Sequence, residues 1–364
     1  MRNILIVKPS ALGDVIQATC ILPLLKTYAP GSRISWLVFE HNAEVVRNHP
    51  LIDHVISINR SGSFLPQFPG LLRKLREARF DTVIDLQCLL RSAFLSRLTG
   101  CSRRIGYANG REFSTLFYTE TYDIPRDTIH AVDGYLRLCQ SLGLSRLGEV
   151  IFPLPLKDAH RSRVDALISD FAGKHPVVSI CPTAKWETKC WPEESFATLA
   201  DLLSERMKVR VVLLGAPSET EVVGRIGRRM RHEHLDLSGK LSILEVAALL
   251  ERSALYIGND SGLMHLASAT KTKTVAIFGP TDPRRTGPYN GQARVATLNL
   301  YCSPCFKRNC ASCRCLKELS PEAVTHICLE QLQQRVARSV VIATQQACIE
   351  ALEANRLCSQ GMQP

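Results

Sequence analysis

The chain has 364 residues, of which 45% are hydrophobic and 22% charged, the balance of a soluble globular protein. At roughly 150 residues per domain the length favours two domains, each able to bury its own core, and disorder, collagen and coiled coil are excluded as whole-chain descriptions. Lys plus Arg outnumber Asp plus Glu by 45 to 34, a formal charge of +11 that suits an anionic partner: nucleic acid, anionic lipid or a phosphorylated substrate.

In chain order, Asn3 to Lys8 is a short apolar run suited to a buried parallel strand. Asp14 to Tyr28 reads as one helix, striped by Val15, Ile16, Ala18, Ile21, Leu22 and Leu25 and stopped by Pro30-Gly31. Strands are predicted over Arg33 to Phe39, His54 to Asn59, Asp81 to Leu86 and Arg103 to Tyr107, with a helix from Pro69 to Ala78. After the proline-marked connection Phe152 to Leu156 comes a helix over Asp158 to Ala172, and the alternation restarts. His175 to Ile180, Val209 to Leu214, Ala254 to Ile257 and Thr274 to Phe278 are strands. Pro192 to Arg206, Ser242 to Ser253 and Leu263 to Ala269 are helices, and Pro321 to Leu357 is largely helical. Strand and helix in repetition imply parallel sheets with helices on both faces, in two similar α/β halves.

The polar motifs fall where such strands end, which is where open α/β sheets bind ligands. Lys8-Pro-Ser-Ala-Leu-Gly-Asp14 joins a strand to a helix; Asp14 reads either as an N-cap or as a general base. Gly258-Asn-Asp-Ser-Gly-Leu-Met-His265 does the same later, and its small residues and free amides at a helix start favour a phosphate or diphosphate over a plain cap. Phe278-Gly-Pro-Thr-Asp-Pro283 is a rigid turn carrying a Thr hydroxyl. In Thr183 to Pro192, Lys189 is placed to neutralise a leaving phosphate, with Lys185 as its competitor. Neither the dinucleotide fingerprint nor the P-loop spacing is present, which removes a nucleotide-dependent oxidoreductase.

Lys8-Pro-Ser-Ala-Leu-Gly-Asp14, Lys189-Cys-Trp-Pro192, Asp260-Ser-Gly-Leu-Met-His265 and Phe278-Gly-Pro-Thr-Asp-Pro283, in this order, resemble family 9 glycosyltransferases, the bacterial lipopolysaccharide heptosyltransferases. The resemblance implies an α/β GT-B fold, two Rossmann-like domains facing a central cleft. Residues 1–155 would be the acceptor-binding domain, 156–325 the nucleotide-sugar domain, and 326–364 a helical segment packing back on the first. It implies inverting transfer of a heptose from ADP-heptose to a lipid A core acceptor, with a nucleotide sugar as co-substrate, no cofactor and no nucleic acid. Asp14 and Lys189 would be catalytic. Ser261, Gly262, His265, Asp260, Thr281 and Gly279 would contact the donor, and Glu219, after Gly215-Ala-Pro217, the ribose. Lys8, Ser10, Arg60 and Arg104 would contact the acceptor. A segment with ten basic residues (Arg60, Arg73, Lys74, Arg76, Arg79, Arg91, Arg97, Arg103, Arg104 and Arg111) against four acids (Glu77, Asp81, Asp85 and Glu112) would hold that anionic acceptor, unless it is simply a solvated face.

Metal-free chemistry is the expectation, since no acid pair resembles a nucleotide-sugar Mg²⁺ site. With no signal peptide or membrane span readable, the expected location is the cytoplasm, with peripheral contact at the inner face of the inner membrane. There the 14 cysteines should be largely reduced. Five crowd between Cys302 and Cys315, and the spacing of Cys302, Cys305, Cys310 and Cys313 admits a metal, a disulfide or plain packing. With the positive charge this leaves a metal-dependent nucleic-acid-binding protein as the competing function, and a family 9 enzyme using another nucleotide sugar as a second.

Overall fold

In a computed structural model, residues 1–59, 64–145 and 148–333 are described, with the side chains of 64–66 left out. Chain contacts divide it into two compact units, one formed by Met1–Pro155 and one that starts at Leu156. Arg60 and residues 334–364 lie outside the described residues, so most of the expected C-terminal segment does too; its first part, 326–333, ends a helix of the second unit.

The first unit holds β1 (Asn3–Val7), α1 (Leu12–Ala18), α2 (Ile21–Tyr28), β2 (Arg33–Phe39), β3 (His54–Ile58), α3 (Phe64–Glu77), β4 (Thr82–Asp85), α4 (Leu90–Leu98), β5 (Arg104–Tyr107), β6 (Glu120–Tyr122) and α5 (Ala131–Ser141). Its sheet runs β3-β2-β1-β4-β5-β6, with every pair parallel. Ile4, Leu5, Ile6 and Val7 of β1 are wholly buried, as a central strand covered on both faces requires.

The second unit repeats the plan with α6 (Asp158–Ala172), β7 (Val177–Cys181), α7 (Glu193–Met207), β8 (Arg210–Leu213), α8 (Thr220–Arg229), β9 (His234–Asp236), α9 (Ile243–Arg252), β10 (Leu255–Asn259), α10 (Gly262–Ala269), β11 (Thr274–Ile277), α11 (Pro283–Thr286), β12 (Ala293–Ala296), α12 (Arg314–Lys317) and α13 (Pro321–Gln333). Its order is β12-β11-β10-β7-β8-β9, again all parallel. In each sheet the winding reverses between two central strands, β1 and β4 in one, β7 and β10 in the other. Such reversal points open a crevice at the carboxyl ends of the strands.

The predicted helix from Asp14 to Tyr28 is in fact two helices. Thr19 ends the first, its Oγ1 donating to the Ile16 carbonyl at 2.7 Å, and Pro23, without an N–H, cannot continue the i→i−4 ladder through the second's first turn. Helix α3 starts at Phe64 and carries Pro69 inside it rather than at its start.

Candidate active site

Two polar clusters occupy the two reversal points. In the first unit, β1 delivers Lys8, and α1 begins at Leu12 with Ala11 as N-cap. Asp14 is therefore not the N-cap but the third helical residue, and its Oδ2 accepts the Ala11 N–H at 2.9 Å. That carboxylate stays 42% exposed, while the buried Lys8 Nζ lies 3.9 Å from the same oxygen. Burial pushes the Lys8 ammonium down from its usual range, and the Asp14 charge opposes the shift.

Asp85, at the end of β4 and counted above only among the acids of the basic segment, is a wholly buried carboxylate. Its Oδ1 accepts the Gln87 and Cys88 N–H groups at 2.8 and 3.0 Å, and its Oδ2 accepts the Tyr118 hydroxyl at 2.8 Å. Burial raises its pKa, and these donors work against the rise. Tyr118 reaches it only because residue 106 is glycine: a Cβ there would stand 2.4 Å from the Tyr118 ring. Beside this network opens a cavity of about 820 Å³ lined by Pro9, Ser10, Gln87, Leu90, Phe94 and Glu112, among others. Ser10 is among the residues that line it. Arg104 is committed to its own unit, donating from Nε to the Phe117 carbonyl at 2.8 Å and also to that of Cys101.

In the second unit, the turns after β7, β10 and β11 converge. Asp260 Oδ2 accepts Lys189 Nζ at 2.6 Å and Thr281 Oγ1 at 2.7 Å, with the Lys and Asp side chains only 16% and 6% exposed. Lys189 also stands 4.5 Å above the Trp186 ring. Asn259, fully buried, ties two of these turns together: its Nδ2 donates to the Pro182 carbonyl at 2.7 Å and its Oδ1 accepts the Trp191 N–H at 3.1 Å. Sequence reading missed Asn259, although a lone amide at the end of an apolar strand is a signal that its hydrogen bonds must be met nearby.

Ser261 is the N-cap of α10, yet its side chain makes no cap bond. Its buried Oγ has no hydrogen bond of good geometry, although the Tyr256 phenol is near enough to interact. Gly262 opens the helix and His265 lies buried within its first turns. The first amides of such a helix lack intrahelical partners. Glu219 accepts the Ala216 N–H at 2.7 Å, and its charge reaches Cys181, Cys190 and Tyr256, so it belongs to the same end of the sheet. Lys185 is not among the partners of Asp260.

The cysteine segment braces this cluster. Ser303 Oγ donates to the Gly279 carbonyl at 2.5 Å, the Cys305 and Phe306 N–H groups to that of Pro280 at 2.9 and 2.7 Å, and Thr188 Oγ1 to that of Lys307 at 2.9 Å. Gly279 permits close packing, since a Cβ there would meet Leu316 at 2.7 Å and the Cys315 sulfur at 3.1 Å. Among the described residues no three His, Cys, Asp or Glu side chains form a group able to hold a metal. Cys302, Cys305, Cys310 and Cys313 all lie within electrostatic reach of the Cys315 thiol, and the backbone of their segment holds the Gly279 to Thr281 turn.

The profile of glycosyltransferase family 9 (heptosyltransferase) matches residues 70–315. Lipopolysaccharide heptosyltransferase 1 of Pseudomonas aeruginosa is 30% identical over 320 residues, covering 85% of this chain and 87% of that one. Among solved structures, a family 9 glycosyltransferase from Veillonella parvula superimposes with a TM-score of 0.79 at 25% identity, over 91% of this chain and 97% of that one. Escherichia coli heptosyltransferase WaaC, solved with ADP-2-deoxy-2-fluoro heptose, gives 0.71 at 26% identity, over 90% and 99%. The chain belongs to glycosyltransferase family 9. It is an α/β enzyme of the GT-B class with two Rossmann-like units. Neither the nucleic-acid-binding alternative nor transfer from another nucleotide sugar gains support from these relatives.

Proposed function

We propose that the protein transfers a heptose, with inversion, from ADP-heptose to an anionic sugar acceptor of the lipopolysaccharide inner core, working peripherally at the inner membrane surface. The Pseudomonas aeruginosa relative is named for heptosyl transfer in lipopolysaccharide, and the Escherichia coli structure holds an ADP-heptose analogue. The observation that carries the reading is the convergence of Lys189 and Thr281 on one buried oxygen of Asp260, where α10 begins.

Asp14 acts as the base. An acceptor hydroxyl is far too weak an acid to ionise near neutral pH, so a carboxylate at hydrogen-bond distance takes its proton as the oxygen attacks the anomeric carbon. The Ala11 N–H and the Lys8 ammonium hold that carboxylate in place. The bond to the diphosphate breaks as the new glycosidic bond forms, and single displacement inverts the centre. Lys189, the Thr281 hydroxyl and the first amides of α10, with Ser261, Gly262 and His265 alongside, stabilise the charge that grows on the leaving ADP. This positive charge comes from the chain itself, so the transfer is expected to run in EDTA. Glu219 is assigned to the ribose, and Lys8, Ser10 and Arg104 to the acceptor, with Ser10 alone of the three lining the first-unit cavity.

Asp14→Asn is the test. It should lower ADP release from ADP-heptose, measured with a deacylated core acceptor, by about 10²-fold or more while ADP affinity stays unchanged. Near wild-type turnover in this variant would remove Asp14 from the mechanism.

A further inference from the structure

Around the first-unit cavity, whose lining includes Leu90 and Phe94, large apolar side chains stand in water. Phe113 is 81% exposed, Leu116 80%, Leu90 44% and Phe94 43%. They form one patch: Phe94 packs edge-on to Phe117 at 6.2 Å between ring centroids, and the Leu90 N–H donates to Glu112, the residue before Phe113, at 3.2 Å. Folding alone does not account for Phe113. Its backbone sits at φ 59°, a conformation that residues with a Cβ avoid, and its ring gains no burial in exchange.

The charge around the patch is net positive, three arginines (Arg91, Arg97 and Arg111) against two acids. The exposed face of α4 reads Leu90, Arg91, Phe94, Arg97, and the helix contains no acid. Arg111 is exposed next to Phe113; the neighbouring acids are Glu112 and Asp127, the latter 3.7 Å from Arg111. Bulky apolar groups interleaved with Arg are what an interfacial segment presents: the apolar ends enter the headgroup region and the guanidinium groups meet lipid phosphates. A second copy of the chain fits this surface less well, since two such faces would bring α4 arginines against one another.

We propose that Phe113, Leu116 and the exposed face of α4 form the surface by which the enzyme docks on an anionic bilayer. The proposal rests on the reading above, in which the adjoining cavity takes the sugar head of an acceptor whose acyl chains remain in the membrane. Docking here places the cavity mouth at headgroup level.

The test is co-flotation of the full chain with vesicles of phosphatidylglycerol and phosphatidylethanolamine, against phosphatidylcholine alone. Wild type should partition onto the anionic vesicles at low salt and leave them as salt rises. The double variant Phe113→Asn, Leu116→Ser should lose about a hundredfold in partitioning, roughly tenfold per side chain withdrawn. Asn tolerates the left-handed backbone at position 113, so the melting temperature and transfer to a deacylated, soluble acceptor should be unchanged. Arg97→Gln should weaken binding and flatten its salt dependence. Wild type that ignores anionic vesicles, or a double variant that floats like wild type, overturns the proposal. So does concentration-dependent dimerisation of wild type, measured by sedimentation, that the double variant abolishes. If flotation behaves as expected while no lipopolysaccharide core acceptor is turned over, the docking surface stands and the acceptor assignment falls.

Discussion

Asp260→Asn isolates the central feature of the second unit. Asp260 Oδ2 holds an ammonium at 2.6 Å and a hydroxyl at 2.7 Å, nearly out of water. Asn keeps the shape and an acceptor oxygen but removes the charge. Hydrogen bonds to charged groups contribute about 1.5–3 kcal/mol and neutral ones about 1, so the substitution should cost about 1–2 kcal/mol. For a unit of this size that lowers the melting temperature by about 2–8 °C. Asp260→Ala, which strands the Lys189 ammonium without a counter-charge, should cost about 3–5 kcal/mol. ADP brings an anion to the same lysine. At a hundred times its dissociation constant it adds about 2.7 kcal/mol of stability, enough to return the Asn variant to the melting temperature of ligand-free wild type. Thermal melts with and without ADP read all of this. Variants that melt within 1 °C of wild type would show that the pair contributes nothing, and a wild type that ADP does not stabilise would show that this cluster is not the donor site.

Three further outcomes are expected. Asn259→Ala leaves the Trp191 N–H and the Pro182 carbonyl buried without their partner; it should cost about 2–4 kcal/mol and raise the donor KM more than it lowers kcat, as steady-state kinetics will show. His49 accepts the Leu51 N–H at 3.1 Å and bonds the Pro153 carbonyl at 3.1 Å, and burial lowers its pKa from 6.5 to about 4. The unfolded chain then binds a proton before the folded one does, so stability present above pH 6.5 is lost as pH falls towards 4, by about 3 kcal/mol in all, and His49→Gln should flatten that part of the denaturation profile. Gly106→Ala drives a methyl into the Tyr118 ring and should break the Tyr118–Asp85 bond at a cost of about 2–4 kcal/mol by urea unfolding.

Much of this was legible in the sequence. Buried parallel strands such as Ile4–Val7 and Val177–Cys181 are bare apolar runs, and the small polar residues that follow them mark where ligands bind. What stayed hidden depended on tertiary partners. Helix α4 gives no apolar stripe, because Leu90 and Phe94 face solvent. The short strands β6, β9 and β12 take their identity from the neighbours they pair with. Asp85 and Asn259 look ordinary in the chain, and only the fold shows each meeting its hydrogen bonds from distant turns. The cysteine segment is held by Cys305 and Phe306 N–H donors to Pro280 and by the Ser303 hydroxyl on Gly279, contacts that no cysteine pattern encodes.

Heptosyl transfer itself is best tested by incubating the protein with ADP-heptose and a deacylated inner-core acceptor, and following ADP release together with the mass of the acceptor. One heptose gained per ADP released, with neither product formed when the acceptor is omitted, is the outcome expected of the Asp14 base and the Lys189–Asp260–Thr281 cluster. An acceptor whose mass does not change while the fold and ADP binding are intact would contradict it.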